Sequence, residues 1–212
     1  MKAFLISGGS MVEETTSYLA QYLQNDGYEV VISNHEPDLL EQPFQACDLL
    51  VVNSCLYSGT GNFTNDAIRE ALTKHFEWGK GVVIMHSSIG NWDDWPEYIQ
   101  LSGGRWDWGL SKHSDPHLSF VIETTGDHPI LDCVPNSFTV TDEMYYNLSF
   151  HPGNHVLAHT SEQSGRHPMV WWRKSLNSKV AAILIGHNEQ AVCHPQYKQL
   201  FLNACKWTTG GA

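Results

Sequence analysis

The sequence has few basic residues and no long apolar segment. Lys and Arg total 12 against 23 Asp and Glu, so the formal charge is 12 − 23 = −11 when the histidines are neutral. Such an acidic chain is a poor partner for nucleic acid or for an anionic membrane surface. No run approaches the roughly 18 to 20 apolar residues that a membrane-spanning helix needs. We therefore expect neither a nucleic-acid partner nor a membrane partner.

Cysteine is also sparse and lacks the spacing of a metal or disulfide framework. The five cysteines are Cys47, Cys55, Cys133, Cys193 and Cys205, an odd number without a C-x-x-C pair. Neither a disulfide scaffold nor a cysteine zinc site is indicated. The apolar run after Met1 ends at Ser7-Gly8-Gly9, which is too brief for a signal-peptide core. These features predict reduced thiols and a cytoplasmic location.

Histidine, by contrast, is abundant. Full protonation of the 12 histidines would change the formal charge from −11 to about +1. The charge of the protein should therefore respond strongly to mild acid.

The first half of the chain alternates strand and helix patterns. Apolar or β-branched runs predict strands at 2–7, 28–33, 48–53 and 81–86, and helical spacing predicts helices at 12–24 and 63–78. Because these runs are continuously apolar, the strands should be covered on both faces, as in parallel sheets. We predict an α/β fold with a flavodoxin-like, doubly wound, mostly parallel sheet and helices on both faces.

The second half differs from the first in composition but contains no linker, so one domain over 1–212 is expected. Tryptophans cluster among Gly, Asp and Pro after Gly90, which predicts an elaborated loop with one short helix at 94–101. Strands are predicted at 117–123, 138–141, 155–159, 169–173 and 179–185, and a last helix at 194–207.

His86 is the first candidate functional residue, since it follows the strand 81–85. Strand carboxyl ends are where α/β enzymes expose catalytic groups. His86 suits a ligand, a base or an electrophile, or simply a histidine satisfied by backbone. Ser87 is a weak nucleophile candidate, because Met85 replaces the first glycine of G-x-S-x-G.

A second candidate region runs from Gly103 to His117. Paired glycines beside Trp106 and Trp108 suit a backbone that approaches a ligand under aromatic faces, although a packed loop would look the same. His113 and His117 are four residues apart, but Pro116 disfavours the helix that a metal-binding pair at this spacing requires.

Two further strand ends carry ionisable groups. Glu143 follows a β-type run, and His187 ends the apolar strand 180–185. With His86 and His113 they would suit a divalent metal or a proton relay, if the fold brings them together. The other histidines, including His35, His75 and His194, are expected in or beside surface loops and helices.

Eight segments resemble, in order, the ThuA-like or trehalose utilisation family. They are Gly81-Val82-Val83-Ile84-Met85-His86, Asp94-Trp95-Pro96-Glu97-Tyr98, Gly103-Gly104-Arg105, His113, His128-Pro129-Ile130, Asp142-Glu143-Met144-Tyr145, Pro168-Met169-Val170-Trp171 and Gly186-His187. The resemblance covers nearly the whole chain. It implies a fold of the class I glutamine amidotransferase type, which agrees with the α/β prediction.

One element of that superfamily is missing. Glutamine amidotransferases need a cysteine at the turn after this strand, where the present chain has His86-Ser87-Ser88. Glutaminase chemistry through a thioester therefore lacks its nucleophile.

The resemblance implies breakdown of trehalose-like sugars, glycosides and keto-sugars. Our first hypothesis is an enzyme acting on a small sugar or keto-sugar, with His86, His113, Glu143 and His187 around the reacting centre. Trp92, Trp106, Tyr145 and Arg105 would hold the sugar. No cofactor is specified by the sequence; a divalent metal such as zinc would be held by His86, His113 and His187.

Two alternatives stay open. One is a non-catalytic sugar-binding or assembly module, and the other is a zinc hydrolase. The aromatic residues after Gly90 would also suit a subunit interface, which leaves a homo-oligomer open.

Overall fold

The computed structural model describes residues 1–9, 13–60, 64–161 and 165–211. The strands are β1 (Lys2–Gly8), β2 (Glu29–Ser33), β3 (Leu49–Ser54), β4 (Gly81–Met85), β5 (Gly104–Arg105), β6 (Lys112–His113), β7 (Leu118–Thr124), β8 (Ser137–Asp142), β9 (Tyr145–Tyr146), β10 (Ser149–Phe150), β11 (His155–Thr160), β12 (His167–Ser175) and β13 (Ser178–Ile183). The helices are α1 (Glu13–Asn25), α2 (Gln42–Gln45), α3 (Asp66–Glu77), α4 (Tyr98–Ser102), α5 (Glu189–Val192) and α6 (Pro195–Thr208). Short 3₁₀ turns lie at Glu36–Leu40, Ser58–Thr60, His86–Gly90 and Pro129–Leu131.

A nine-stranded sheet in the order β2-β1-β3-β4-β13-β12-β11-β7-β8 forms the centre of the fold. The five strands from β2 to β13 pair in parallel. The residues of β3, β4 and most of β13 are buried, as their continuous apolar runs predict. The predicted α/β fold is confirmed.

The remaining strands, from β13 through β12, β11, β7 and β8, pair antiparallel. In β7, Phe120 and Ile122 are buried while Val121 is exposed. This alternation is expected of a sheet that has one solvent-exposed face. This antiparallel extension makes up the second half of the sheet.

The helices flank the parallel strands. The chain moves one way across the sheet from β1 through α1 to β2, and the other way from β3 through α3 to β4. Because crossovers between parallel strands are right-handed, α1 and α3 lie on opposite faces. Helix α6 packs against β4, β13 and α1. Among the described residues, no helix is long and apolar enough to cross a membrane.

A capping side chain and a proline explain where α3 and α4 begin. The Asn65 side chain accepts a hydrogen bond from the Ile68 N–H at 3.0 Å, so α3 begins at Asp66 rather than at 63. Residue 63, and residue 12 of the first predicted helix, lie outside the described residues. The predicted helix 94–101 is wrong at its start, because Pro96 disfavours helical backbone at the residue before it and α4 begins only at Tyr98.

The surface prediction for His75 is also wrong. His75 is only 1% exposed and faces the core from α3, four residues after Ala71 and three after the buried Leu72. Its Nε2 lies 3.2 Å from the Gly81 carbonyl oxygen, and its ring stacks on Phe44 at 5.1 Å. Burial lowers the pKa of this histidine to about 4.

Candidate functional site

The candidate site lies at the carboxyl ends of β3, β4 and β13, which are neighbours in the sheet. Cys55 follows β3, His86 follows β4, and His187 follows the apolar run that continues β13. Parallel strands bring their carboxyl ends to one edge, which is where α/β sheets collect ligands.

The turn after β4 is strained at His86. This residue has φ +26, a value that side chains other than glycine rarely adopt, and it is 2% exposed. The Ser88 hydroxyl holds the turn to β3 by donating to the Val52 carbonyl at 2.9 Å and accepting from the Ser54 N–H at 2.8 Å. The chain thus fixes the direction in which His86 leaves the sheet.

The proton position on His86 follows from its partner. Nε2 lies 3.1 Å from the Glu143 backbone carbonyl oxygen, which can only accept, so Nε2 carries the proton and Nδ1 keeps a lone pair. Burial, together with the nearby charge of His187, lowers the pKa of His86 to about 4. The ring is therefore neutral at physiological pH.

Glu143 is the centre of the cluster. Its Oε1 lies 2.9 Å from Nδ1 of His113, and its Oε2 lies 3.2 Å from Nδ1 of His187. Burial opposes ionisation of the carboxyl group, but the hydrogen bond from His187 and the charges of the neighbouring histidines outweigh it and lower the pKa of Glu143. The same hydrogen bond raises the pKa of His187.

Asp142 connects two strand ends that are distant in the sheet. Its carboxylate accepts hydrogen bonds from the Gly186 N–H at 2.6 Å and the His187 N–H at 3.0 Å. Four strand steps of about 4.8 Å separate β13 from β8 in a flat sheet, so the antiparallel extension must curl toward the site. Asp142 is fully buried, and this burial raises its pKa to about 7 despite the two hydrogen bonds.

A small ladder positions His113. Strands β6 and β9 pair antiparallel, with His113 opposite Tyr145. Beyond the ladder, the Ser114 N–H donates to the Met144 carbonyl at 2.9 Å. The His113 side chain is 57% exposed, and its Nδ1 also lies 3.0 Å from the Ser114 carbonyl oxygen. Since both neighbours of Nδ1 accept, Nδ1 carries the proton and Nε2 is free for a ligand.

These groups border a cavity of about 240 Å³. Its aromatic lining consists of Tyr57, Trp106, Trp108 and Tyr145, and its polar lining of Cys55, Ser87, His113 and Glu143. A larger cavity of about 310 Å³ lies beside α3, but its two charged lining residues, Glu70 and Lys74, pair with each other at 2.7 Å. The smaller cavity is the one that combines aromatic walls with the histidine–carboxylate cluster.

The structure brings most of the predicted site residues together. Glu143, His113, Trp106 and Tyr145 line the cavity. His86 and His187 contact Glu143 but are not among the lining residues. Their chemical roles stay predictions.

Two predicted sugar-binding residues lie elsewhere. Trp92 is 2% exposed, packs edge-on against Tyr98 at 4.9 Å and donates its indole N–H to Glu36. It is packed in the core and is not among the residues that line the cavity. Arg105 lies in β5, paired with β10, and does not line the cavity.

The sequence reasoning also missed lining residues. Tyr57 and Cys55 follow β3, the neighbour of β4, so the strand-end argument used for His86 could have found them. Trp108 also lines the cavity, although it is not among the residues predicted to hold the sugar; it is 56% exposed, and its indole N–H donates to Asp93 at 2.8 Å.

One group of described residues could hold a metal ion, namely His86, Glu143 and His187. One ligand atom from each lies within 4.8 Å of the others. This set differs from the predicted one, because Glu143 takes the place of His113. A carboxylate and two imidazoles suit zinc and other first-row metals.

Comparisons with solved structures agree with the fold. A ThuA-like protein from Parabacteroides merdae has a TM-score of 0.82 at 19% identity, over 99% of this chain and 90% of that chain. A glutamine amidotransferase from Thermotoga maritima has a TM-score of 0.62 at 5% identity, over 100% and 99%. A β-galactosidase from Rahnella sp. R3 has a TM-score of 0.69 at 13% identity, over 97% of this chain but only 30% of that chain. At these identities the likeness concerns the fold alone.

Family membership rests on sequence. No match was found among the curated proteins. The ThuA family model, described as trehalose utilisation, matches residues 5–208. The chain therefore belongs to the ThuA family, the one that its ordered motifs resemble.

Proposed function

We propose that this protein is a carbohydrate-processing enzyme that removes a proton from a small sugar or keto-sugar, with the Glu143 carboxylate as the base. The observation that carries the proposal is the position of Glu143, which lines an aromatic-walled cavity while two histidines hold its two oxygens. Its lowered pKa keeps the carboxylate ionised at neutral pH.

A keto-sugar is a suitable substrate class because the protons beside its carbonyl are acidic. When Glu143 takes such a proton, the C–H bond breaks and an O–H bond forms on the carboxylate. The electron pair moves to the carbonyl oxygen and gives an enolate, which His113 stabilises when its Nε2 also carries a proton to donate. His113 lines the same cavity, and its Nδ1 is already occupied.

The enolate can continue in two ways. In isomerisation the abstracted proton goes to the former carbonyl carbon, and the hydroxyl proton of the carbon that lost it moves to the former carbonyl oxygen, so that the C=O group changes place. In elimination the electron pair of the enolate expels the substituent on the carbon next to the carbanion carbon. Both start with the same step, so the proposal covers both.

His86 and His187 act as positioning residues in this scheme. His86 donates to the backbone carbonyl of Glu143, and His187 donates to its carboxylate. Together these two hydrogen bonds fix the position of Glu143, and the ligand contacts its carboxylate from the cavity. A displacement of about 1 Å in such an arrangement can cost on the order of 100-fold in rate.

Cys55 is a poor substitute for the amidotransferase nucleophile. It follows β3 rather than β4, and burial together with the charge of Glu143 raises the pKa of its thiol. A thiol that stays protonated is a weak nucleophile. Glutamine hydrolysis through a thioester at Cys55 is therefore disfavoured.

The cytoplasmic location is part of the same proposal. All five cysteines are free thiols, as expected in a reducing compartment.

The test is proton exchange in D₂O with methyl 3-keto-α-glucopyranoside, followed by proton NMR. This readout detects the first step whether isomerisation or elimination follows. Glu143→Gln should slow exchange by roughly 10³-fold, because an amide cannot accept the proton. Exchange at the wild-type rate in this variant would overturn the proposal.

Glu123→Gln is the matched control. Glu123 also pairs with a histidine, His159 at 3.2 Å, but it lies on β7 and does not line the cavity. The same chemical change there should leave exchange at the wild-type rate.

A second candidate is metal-assisted chemistry, favoured by the grouping of His86, Glu143 and His187. A divalent metal would act as a Lewis acid on the carbonyl oxygen. Loss of exchange on treatment with a chelator, and its return on adding zinc, would favour this candidate over acid–base chemistry alone.

A third candidate is the non-catalytic sugar-binding or assembly module. It is favoured by the β-galactosidase likeness, in which this fold corresponds to only 30% of a longer chain. Sugar binding by the wild-type protein without any exchange would support it.

A further inference from the structure

We propose that the protein has a second binding site, for a small organic anion whose carboxylate or phosphate group pairs with Arg166. The site is a cavity of about 270 Å³, which we call the arginine cavity. It is lined by residues 145–148, Phe150 and residues 165–168, at β9, β10 and the start of β12. Binding there requires no proton transfer, so the site is independent of the proposed function.

The charge of the arginine cavity differs from that of the chain as a whole. Asp and Glu outnumber Lys and Arg by 23 to 12, yet no described residue that lines this cavity is an aspartate or a glutamate. Arg166 does line it, and a guanidinium keeps its positive charge at physiological pH. The described lining therefore offers a permanent cation and no carboxylate to a ligand.

The guanidinium of Arg166 has donors left for that ligand. Within the described part of the chain, its one hydrogen bond runs from Nη2 to Nδ1 of His159 at 3.1 Å, and no described carboxylate forms an ion pair with it. Arg69, by contrast, pairs with Asp66 and Asp94. A guanidinium holds five N–H donors in a planar fork, and a carboxylate or a phosphate accepts from two of them at once.

A chain of hydrogen bonds orients this arginine. Arg166 can only donate to Nδ1 of His159, so the histidine carries its proton on Nε2, which lies 3.2 Å from the Glu123 carboxylate. Burial, together with the charge of Arg166, lowers the pKa of His159 and keeps the ring neutral. The Glu123 carboxylate also accepts from the Ser161 hydroxyl at 3.2 Å. The imidazole thus separates Glu123 from Arg166, and the acid orients the arginine without forming an ion pair with it.

The other walls of the arginine cavity suit the body of an organic ligand. Four of the lining residues are aromatic or aliphatic, namely Tyr146, Leu148, Phe150 and Pro168. Phe150 packs edge-on against the buried Trp171, with ring centroids 5.3 Å apart, so its position is fixed by the core. Small-molecule sites combine apolar walls with a few charged groups in this way. A ligand with one oxyanion and a flat apolar body matches both parts of the lining.

The volume limits the size of that ligand. About 270 Å³ is below the roughly 300 to 1,000 Å³ typical of sites that enclose drug-sized molecules. One ring that carries an oxyanion is in keeping with this volume, whereas a polymeric anion is not.

Calorimetric titration with three matched probes tests the proposal. They are benzoate, phenyl phosphate and benzamide, the last being the uncharged analogue of benzoate. We expect at least one of the anions to bind about tenfold more tightly than benzamide, because a guanidinium pairs with an oxyanion and not with an amide. The comparison of benzoate with phenyl phosphate shows which oxyanion the site prefers. Anions that fail to bind, or that bind no more tightly than benzamide, would overturn the proposal.

Variants link the binding to Arg166. Arg166→Gln removes the cation and should weaken the bound anion about tenfold. Arg166→Lys keeps the charge without the planar fork, so it should lose affinity, but less than Arg166→Gln. Lys174→Gln is the matched control, since it removes a positive charge from an exposed residue of β12 that does not line the cavity. Wild-type affinity in folded Arg166→Gln or Arg166→Lys protein, with folding checked by thermal unfolding, would contradict the proposal.

The position of the bound anion is read from the Trp108 indole N–H resonance, which Trp108→Phe assigns. Trp108 lines the candidate site and does not line the arginine cavity, although Tyr145 borders both. An anion in the arginine cavity should leave the Trp108 resonance unchanged. A shift of this resonance, with wild-type affinity in Arg166→Gln, would place the anion in the candidate site and overturn the proposal.

The two proposals can fail separately. Anion binding that depends on Arg166 in a protein that shows no proton exchange would remove the enzyme proposal and keep the second site. Proton exchange that depends on Glu143, without anion binding, would do the reverse.

Discussion

His75 and His86 are buried histidines in two different regions of the molecule, and they resemble each other closely. Each is at most 2% exposed, and each places Nε2 about 3 Å from a backbone carbonyl oxygen, at 3.2 Å for His75 and 3.1 Å for His86. Burial lowers the pKa of both to about 4. By burial and titration alone, the two histidines cannot be told apart.

Their surroundings differ. His75 stacks on Phe44 in the layer between α3 and the sheet, on ordinary helical backbone. His86 has φ +26, lies 5.3 Å from the His187 ring, and donates to the residue whose carboxylate lines the cavity. A shifted pKa is therefore weak evidence of function by itself; strained backbone and ionisable neighbours distinguish the site.

The largest expected effect is on stability in acid, to which the buried His75 contributes. The unfolded chain protonates His75 near pH 6.5, whereas the folded protein does so only near pH 4. The stability is complete above pH 6.5 and is lost as the pH falls from 6.5 to 4, by about 3 kcal/mol for this group. His75→Gln keeps an N–H donor without titrating, so urea unfolding at several pH values should show a smaller acid loss than in the wild type.

The folded His75→Gln variant should exchange the substrate proton at the wild-type rate. If the variant loses as much stability as the wild type when the pH falls, then His75 does not take up a proton on unfolding, and its burial does not lower its pKa.

The second effect is on activity at His86. His86→Ala removes the donor to the Glu143 carbonyl and should slow proton exchange about 100-fold, since the base is then free to shift. The measurement is the proton-exchange rate divided by the concentration of folded protein, which circular dichroism gives. If His86→Ala exchanges the proton at the wild-type rate, then His86, like His75, is a buried residue with no role in the exchange.

The smallest effect concerns His187, whose pKa is raised by its hydrogen bond to Glu143. A raised histidine pKa stabilises the fold below the unfolded value near 6.5, and this contribution is lost as the pH rises through the folded value. His187→Gln should therefore lose more stability, relative to the wild type, at pH 6 than at pH 9. The opposite order would show that His187 is neutral in the folded protein.

Much of the fold was accessible from the sequence, because continuous apolar runs and helical spacing report burial directly. His75 shows that helical spacing also predicts core positions for polar residues. On α3 the buried residues Ile68, Leu72, His75 and Phe76 follow the spacing of one helix face, so periodicity placed this histidine in the core.

The site was accessible only in part. His86 and His187 could be named because each follows an apolar strand, and strand order is readable along the chain. Trp92 and Trp108 could not be distinguished, since both lie in the same Gly- and Asp-rich stretch, yet one is 2% and the other 56% exposed. No spacing pattern in an irregular segment encodes which side chain faces the core.

The sequence by itself determined the α/β architecture, the family and the strand ends at which ionisable residues occur. Tertiary structure alone decided that Glu143 meets His113, 30 residues away, and His187, 44 residues away. The physical reason is that the first kind of information is local, carried by the period of apolar residues. The second depends on how an antiparallel extension curls back onto a parallel sheet, and only the packing of the whole chain specifies that curvature.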